Sequence, residues 1–228
     1  MGPSDWRRLL ANPATQWRQT KSAFEAAVAW EAARGSERGI PPAVAATLDA
    51  EPIFSGASLL LGIPEHQVEL EGGGHASQTD FWALFATKSG VVSVAVEAKA
   101  GEPFDRPVAE WLADASEKSG KPARLAQLCN ILEISRQDTE SLRYQLMHRP
   151  VAAILEAVRF QVPRALFLVH AFGDNDASLG DYQRWARYLG VEADANRVHH
   201  VGLRFGIDFW IGWVGVAPAD DQTVRAAV

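Results

Sequence analysis

Three residues could act together chemically: Asp80, Glu97 and Lys99. They lie within the stretch from Thr79 to Lys99, which reads as two strands joined by a tight turn at Lys88-Ser89-Gly90. Both arms are rich in Val, Phe and Trp, which suit a pleated, half-buried surface. Alternate residues of a strand share a face. Asp80, Trp82, Leu84 and Ala86 therefore line one face of the first arm, and Val91, Ser93, Ala95, Glu97 and Lys99 line one face of the second. A two-residue turn at Ser89-Gly90 sets Asp80 opposite Lys99, whereas a four-residue loop over Thr87 to Gly90 sets it opposite Glu97. Either register brings the three residues onto one face, where directly opposed Cβ atoms stand about 4.5–5.5 Å apart. A three-residue loop would separate them.

A solvated cross-strand salt bridge is the plain reading of such a trio. The rest of its face is Trp82, Leu84, Ala86, Val91 and Ala95, and the opposite face is Phe81, Ala83, Phe85, Val92, Val94 and Val96. Both faces look buried, as in a sheet covered by helices. Two carboxylates and an ammonium at one end of a dry sheet are costly unless they are paired or hold a metal. The balance favours a functional site over a structural ion cluster.

An Asp, then a strand, then Glu-x-Lys on the next strand resembles the signature of the PD-(D/E)XK nuclease superfamily, the restriction-endonuclease-like fold. Here the residues are Asp80 and Glu97-Ala98-Lys99. The likeness is wider than the short motif. Pro64-Glu65-His66, Gly72-Gly73-Gly74, Ser77-Gln78-Thr79-Asp80, Val96 to Lys99 with Glu102-Pro103-Phe104, Arg143 to Arg149 and Leu168-Val169-His170 are similar to a bacterial family within that superfamily, over about residues 1–190. The resemblance implies that Asp80, Glu97 and the backbone carbonyl of Ala98 hold Mg²⁺, with Mn²⁺ able to substitute, and that Lys99 orients a water and offsets developing charge. Glu65 or Glu71 would supply a further ligand. Gln78, Gln145 and Arg149 are candidate substrate-binding or supporting residues. Some superfamily members carry Gln-x-x-x-Tyr on the supporting helix, where this chain has Gln145-x-x-x-Arg149.

Composition bounds these expectations. The chain has 228 residues, 28 acidic against 22 basic, for a net charge of −6. That is not the footprint of a protein that coats duplex nucleic acid by bulk charge, although a local basic rim would serve a nuclease. The single Cys129 excludes an internal disulfide and cysteine-type zinc sites, and its setting among Leu125, Leu128 and Leu132 marks a core residue. No apolar signal region opens the sequence, and no run approaches the ~20 apolar residues of a membrane helix. A cytoplasmic protein is expected.

The elements around the hairpin read as follows. Residues 4–50 are helical, with Ser22 and Glu25 as a capping box, Gly35 as a C-cap and Pro41-Pro42 opening a helix to Leu48. Arg7, Arg8, Arg18, Lys21, Arg34 and Arg38 in this region read as a solvated face. Ile53 to Ile63 reads as a helix and Gln67 to Glu71 as the first strand. Helices follow around Pro107–Ala115 and Leu125–Leu132. Asp138 is a candidate cap for a long helix that Pro150 would kink or split. Ala165 to Val169 is a buried strand ending at His170, Tyr182 to Leu189 is a helix, and Val198–Phe205 and Ile207–Val216 are strands.

The expected fold is thus α/β: a mixed central β-sheet of about five strands flanked by helices, restriction-endonuclease-like, with a helical N-terminal extension over 1–50, the nuclease-like domain over 51–216 and a tail over 217–228. The expected function is metal-dependent hydrolysis of phosphodiester bonds in DNA or RNA. Nucleic acid is the expected partner, DNA ranked ahead of RNA, with no membrane and with a homodimer as a candidate assembly. The alternative is a catalytically inactive nuclease-fold module that binds nucleic acid or protein, and a structural ion cluster is a third option.

Overall fold

A computed structural model describes residues 2–113, 115–116 and 118–219. Six strands form one open, mixed sheet: β1 (Ser58–Val68), β2 (Ser77–Thr87), β3 (Gly90–Lys99), β4 (Arg164–Phe172), β5 (Arg197–Arg204) and β6 (Ile207–Val216), in spatial order β1-β2-β3-β4-β6-β5. The meander β1-β2-β3 is antiparallel. β3 then runs parallel to β4 and β4 parallel to β6, with β5 antiparallel at the far edge. A parallel neighbour cannot be reached by a tight turn. Three helices fill the crossover from β3 to β4: α5 (Val108–Ala113), α6 (Lys121–Leu132) and α7 (Tyr144–Arg159), named after α1 (Pro3–Trp6), α2 (Pro13–Gln16), α3 (Ser22–Ala33) and α4 (Pro42–Asp49) in chain order. α8 (Asp176–Tyr188) fills the crossover from β4 to the last two strands.

The two faces of the sheet carry two apolar clusters. On one face Trp6, Trp30, Val44 and Leu48 from α1, α3 and α4 pack on Phe81, Phe85, Val94, Val96 and Leu168. On the other, Leu128, Leu146, Ile154 and Trp185 from α6, α7 and α8 pack on Trp82, Ala95, Phe167 and Ile211. β3 is buried along eight consecutive residues from Val92, as a central strand covered on both sides must be. A polar chain crosses the second cluster: Trp82 Nε1 donates to Ser93 Oγ at 3.0 Å, and Ser93 Oγ donates to the carbonyl of Ala153 on α7 at 2.9 Å. No described helix is long and apolar enough to cross a membrane.

The hairpin adopts the register that pairs Ala86 with Val91, extended by a further pair, Thr87 with Gly90. Only Lys88 and Ser89 are left to turn the chain, and Gly90 takes a φ of 113°. This register puts Asp80 level with Glu97.

The α/β class and the mixed, helix-flanked sheet are as expected, with six strands for the expected five or so. Several element assignments are corrected. Ile53 to Ile63 is not a helix: residues 51–56 are turns, and from Ser58 the chain is β1, which ends at Val68 rather than running from Gln67 to Glu71. A bulge between Leu59 and Leu61 breaks the two-residue period, and Leu60 and Leu61 face outward on an edge strand, so the segment reads as a plain apolar run. Ser22 is the first helical residue rather than a cap, and Glu25 Oε1 instead accepts the Thr20 amide at 2.9 Å. Arg34, not Gly35, is the C-cap of α3. Asp138 lies in a short 3-10 turn, and α7 begins after Arg143 and continues through Pro150. Packing of both halves of α7 on β3 and β4 holds it in one piece. The tail expected from 217 lies outside the described residues from 220 onward.

Phe81 couples the helical N-terminal stretch to the sheet. Its ring stacks 5.5 Å from Trp6 and sits 4.3 Å from Trp30. Across the ladder, a Cβ on Gly62 would stand 2.3 Å from the Phe81 ring. Gly62→Ala therefore forces the ring against its tryptophan neighbours and is expected to cost about 1–3 kcal/mol of stability in urea denaturation. An unchanged midpoint would show that the ring moves aside freely.

Candidate functional site: a fork between two strands

The ladder between β2 and β3 ends at Phe81 and Val96. Beyond it β2 stays with β1 as far as Ser77, and β3 stays with β4 as far as Lys99. The sheet forks there. A backbone amide that loses its ladder partner in a buried place needs another acceptor. The amide of Ala98 finds one in Asp80 Oδ2 at 2.6 Å. In an extended strand the N–H and C=O of one residue point to the same edge, so the Ala98 carbonyl faces the fork as well.

Glu97 and Lys99 reach the fork from β3, 2 % and 3 % exposed. Lys99 Nζ donates to Glu97 Oε1 at 2.7 Å and to Gln145 Oε1 at 3.0 Å, and lies 4.7 Å over the Phe104 ring. Arg149 Nε donates to Glu97 Oε2 at 2.8 Å. Gln145 and Arg149 are four apart on α7 and share a face, which explains how one helix serves both charges. Gln145 Oε1 also accepts the Asp105 amide at 2.9 Å, tying the loop after β3 to the lysine. Glu65 enters from β1, level with Asp80, with a left-handed φ of 53°. That conformation is uncommon outside glycine and costs about 1–3 kcal/mol. It breaks the strand alternation, so that Ile63 and His66, three apart, both turn toward Trp82 and α7, where His66 meets Glu156 at 3.2 Å. Gln78 Nε2 donates to Glu65 Oε2 at 2.7 Å.

The fork opens into a cleft of about 560 Å³. Its floor is Glu65, Asp80, Glu97 and Lys99, and its far wall is Leu10, Thr15, Gln16 and Lys21 from the N-terminal stretch. The electrostatics follow from three carboxylates facing two close cations. Burial, then the negative charges of Glu97 and Glu65, push the Asp80 carboxyl well above its usual range. Burial raises Glu65 to about 7 against the pull of Gln78 and Arg149. Burial alone would raise Glu97 too, but Lys99 and Arg149 outweigh it and hold Glu97 below its ordinary value. His148, which shares a 2.8 Å hydrogen bond with Ser77 Oγ, is kept neutral by burial and by nearby Arg149.

Among the described residues, no group of three or more His, Cys, Asp or Glu side chains is gathered closely enough to hold a metal ion. A Mg²⁺ site needs fewer, since this ion is commonly held by one or two carboxylates and keeps several waters. Asp80, Glu97 and the Ala98 carbonyl form a hard oxygen set of that kind, and each Glu97 oxygen retains a second lone pair beside its bond to Lys99 or Arg149. With all three carboxyls ionised the fork carries one negative charge more than its two cations, a surplus that a bound cation would offset. The donor set fits.

Of the residues singled out in the sequence, Asp80, Glu97, Lys99, Gln78, Gln145, Arg149 and Glu65 meet at the fork. Glu71 does not: it is exposed on the glycine loop, where its amide bonds Gln127 and its carbonyl bonds Arg124. Lys21 lines the cleft, whereas Arg38 is spent on Asp49 and the Ala57 carbonyl. His170 is buried on the sheet, lowered by burial to about 3, and is not part of the fork. Glu102 and Asp105 line the cleft without having been anticipated. Their one sequence signal is that they follow Lys99 at the strand end.

The raised carboxyls make stability fall as pH rises. Glu65 and Asp80 bind protons more tightly in the folded chain, so between their unfolded and folded values the native state holds more protons and loses stability with increasing pH. For Glu65, from 4.5 to about 7, the loss is roughly 3 kcal/mol. Glu97 shifts the opposite way and acts only below its unfolded value. His148 and His170, lowered by burial, gain stability as pH rises toward their unfolded value and oppose this, so the readout is a difference between two proteins: from pH 5.5 to 7.5 in EDTA the wild type is expected to lose stability relative to Glu65→Gln. Identical pH profiles for the two proteins would show that Glu65 is not perturbed.

No curated protein and no solved structure matched this chain in the comparisons. One family model did, over residues 1–218, described as a domain of unknown function (DUF6946). Because the match takes in every strand and both walls of the cleft, the chain belongs to the DUF6946 family.

Proposed function

We propose that this protein is a metal-dependent nuclease that hydrolyses phosphodiester bonds in DNA or RNA, working in the cytoplasm with Mg²⁺ or, in its place, Mn²⁺. The observation that carries the reading is the fork itself: Asp80 on one strand and Glu97-Ala98-Lys99 on the next, meeting in a cleft where carboxyls outnumber cations. The resemblance to the PD-(D/E)XK superfamily supports it through the same residues. Asp80, Glu97 and the Ala98 carbonyl would hold the ion, with Glu65 as a further carboxylate beside them. A bound divalent ion lowers the pKa of a coordinated water and offsets charge on a phosphate.

The chain's own residues position the reactants. Two acceptors, Glu97 and Gln145, fix the Lys99 ammonium, and its third donor is left for a water or a phosphate oxygen. Arg149 steadies Glu97 from the other side and extends the positive charge toward the cleft mouth. The nucleic acid must come to these groups, because Glu97 and Lys99 are nearly inaccessible from the surface.

One observation favours a second reading. Both Glu97 oxygens already hold a cation, as in an inactive nuclease-fold module whose ion cluster is structural. Stability separates the two. In the nuclease reading burial and its acidic neighbours disfavour the ionised form of Asp80 in the absence of metal, so Asp80→Asn in EDTA is expected to be neutral or stabilising. The variant should also lose most of the stabilisation that Mn²⁺ gives the wild type, which is about 2.7 kcal/mol at a hundredfold excess over Kd. If the cluster of Glu97, Lys99 and Arg149 is structural, Mn²⁺ is expected to stabilise neither protein. Thermal melts of both proteins, with and without Mn²⁺, decide between them.

Activity is the direct test. Purified protein with Mg²⁺ or Mn²⁺ is expected to cleave a mixture of DNA and RNA substrates, and EDTA to stop it. Lys99→Met is expected to lower the rate by roughly 10²–10³ while metal-induced stabilisation persists. A Lys99→Met protein that cleaved like the wild type would remove the role given to that lysine.

A further inference from the structure

A second chamber of about 540 Å³ adjoins the cleft, and Gln78, Asp105 and Arg149 line both. Its charge is reversed. Among the described residues, Arg106, Lys121, Arg124 and Arg149 line it against a single carboxylate, Asp105, in a chain whose net charge is −6. One rim is the loop Gly72-Gly73-Gly74, with φ of 81°, 66° and 78°. Arg124 holds this loop by its carbonyls, donating to those of Glu71, Gly73 and His75. Gly72 is pressed against Gly120 at the start of α6, where a Cβ would stand 2.0 Å from the Gly120 oxygen. Gly73 and Gly74 have nothing within 4 Å of a Cβ position, so the backbone is bare toward the chamber there. A bare backbone permits the close approach of a ligand.

One further feature suits a nucleotide. Arg149 Nη1 is buried and without a hydrogen-bond partner among the described residues, although Glu97 holds its Nε. A buried donor in that state calls for an acceptor, and a phosphate oxygen is a matching one. Trp111 and Tyr144 also line the chamber, but they stack on each other with centroids 4.0 Å apart and are buried beneath Lys121 and His148, so they close the wall rather than offer a ring face.

We infer that this basic chamber binds the nucleotide next to the one held at the fork, and that the ligand is a single strand rather than a duplex. The inference rests on the nuclease reading for the direction of the strand, from the basic chamber past Arg149 to the acidic cleft. The recessed fork carries the second half of it. A rigid duplex lies across a surface, whereas Glu97 and Lys99 are 2 % and 3 % exposed at the floor of the acidic cleft. A flexible strand can reach down to them.

The test measures binding without cleavage. Full-length protein in EDTA is titrated against a 5′-fluorescein-labelled 12-nucleotide thymidylate strand, and against the same strand annealed to its complement, by fluorescence anisotropy. The single strand is expected to bind at least tenfold tighter. Arg106 is exposed and its side chain makes no bond among the described residues, so Arg106→Ala leaves the fold intact. It is expected to weaken single-strand binding severalfold and to reduce the slope of log K against log salt by about 0.7, the value for one phosphate on a single strand. Arg106→Lys is expected to restore that slope. Equal affinity for strand and duplex would overturn the inference, as would an Arg106→Ala protein with unchanged affinity and salt slope. A chain that binds the strand in this manner but cleaves nothing with Mg²⁺ or Mn²⁺ would uphold the chamber and remove the nuclease reading. A chain that cleaves through Lys99 yet ignores Arg106→Ala would do the reverse.

Discussion

The parting of β2 from β3 after Phe81 and Val96 is the constraint on which the site depends. β2 is bound to β1 along its length and β3 to β4 and the helices behind it, so neither strand can follow the other past that point. Parting exposes backbone groups that must be satisfied. Asp80 meets the nearest of them with its side chain, which fixes where its second oxygen lies. The left-handed turn of Glu65 and its bond to Gln78 belong to the same adjustment on the outer strand. The chemistry of the site is thus built from the ordinary repair of a broken ladder.

Charge then sorts the three carboxyls into different states. The two cations reach Glu97, from its own strand and from α7, and keep it ionised. Asp80 and Glu65 share what remains of that positive field, and burial pushes both toward the protonated form. Neighbouring groups driven in opposite directions are a common mark of sites that move protons or bind ions. Without Arg149 the fork would hold one cation against three acids, so α7 supplies the second counter-charge.

Much of the fork was legible because it rests on local rules. Strand parity alone put Asp80, Glu97 and Lys99 on one face, and the i, i+4 spacing put Gln145 beside Arg149. Glu65 was ambiguous with Glu71, since its approach depends on an irregular φ that no periodicity announces. β1 was misread because a bulge and two outward leucines erased the alternation. The basic chamber was not anticipated at all. Arg106 follows β3 while Lys121 and Arg124 open α6, and the glycine loop is drawn to them by the contact of Gly72 with Gly120 and by the bonds from Arg124. Each of those cations reads in the sequence as one more solvated charge.

The wall that faces the fork has a consequence for what counts as the working unit. Leu10, Thr15, Gln16 and Lys21 complete the cleft from outside the span 51–216, and Trp6 and Trp30 clamp the ring of Phe81, the residue next to Asp80. The helical stretch is therefore a structural part of the cavity rather than an appendage. A shortened chain beginning near residue 51 would keep all six strands and every residue of the Asp-Glu-Lys signature. It would lose one side of the channel and the stack that steadies β2 beside its acid. The smallest fragment able to present this site to a ligand begins close to the first helix.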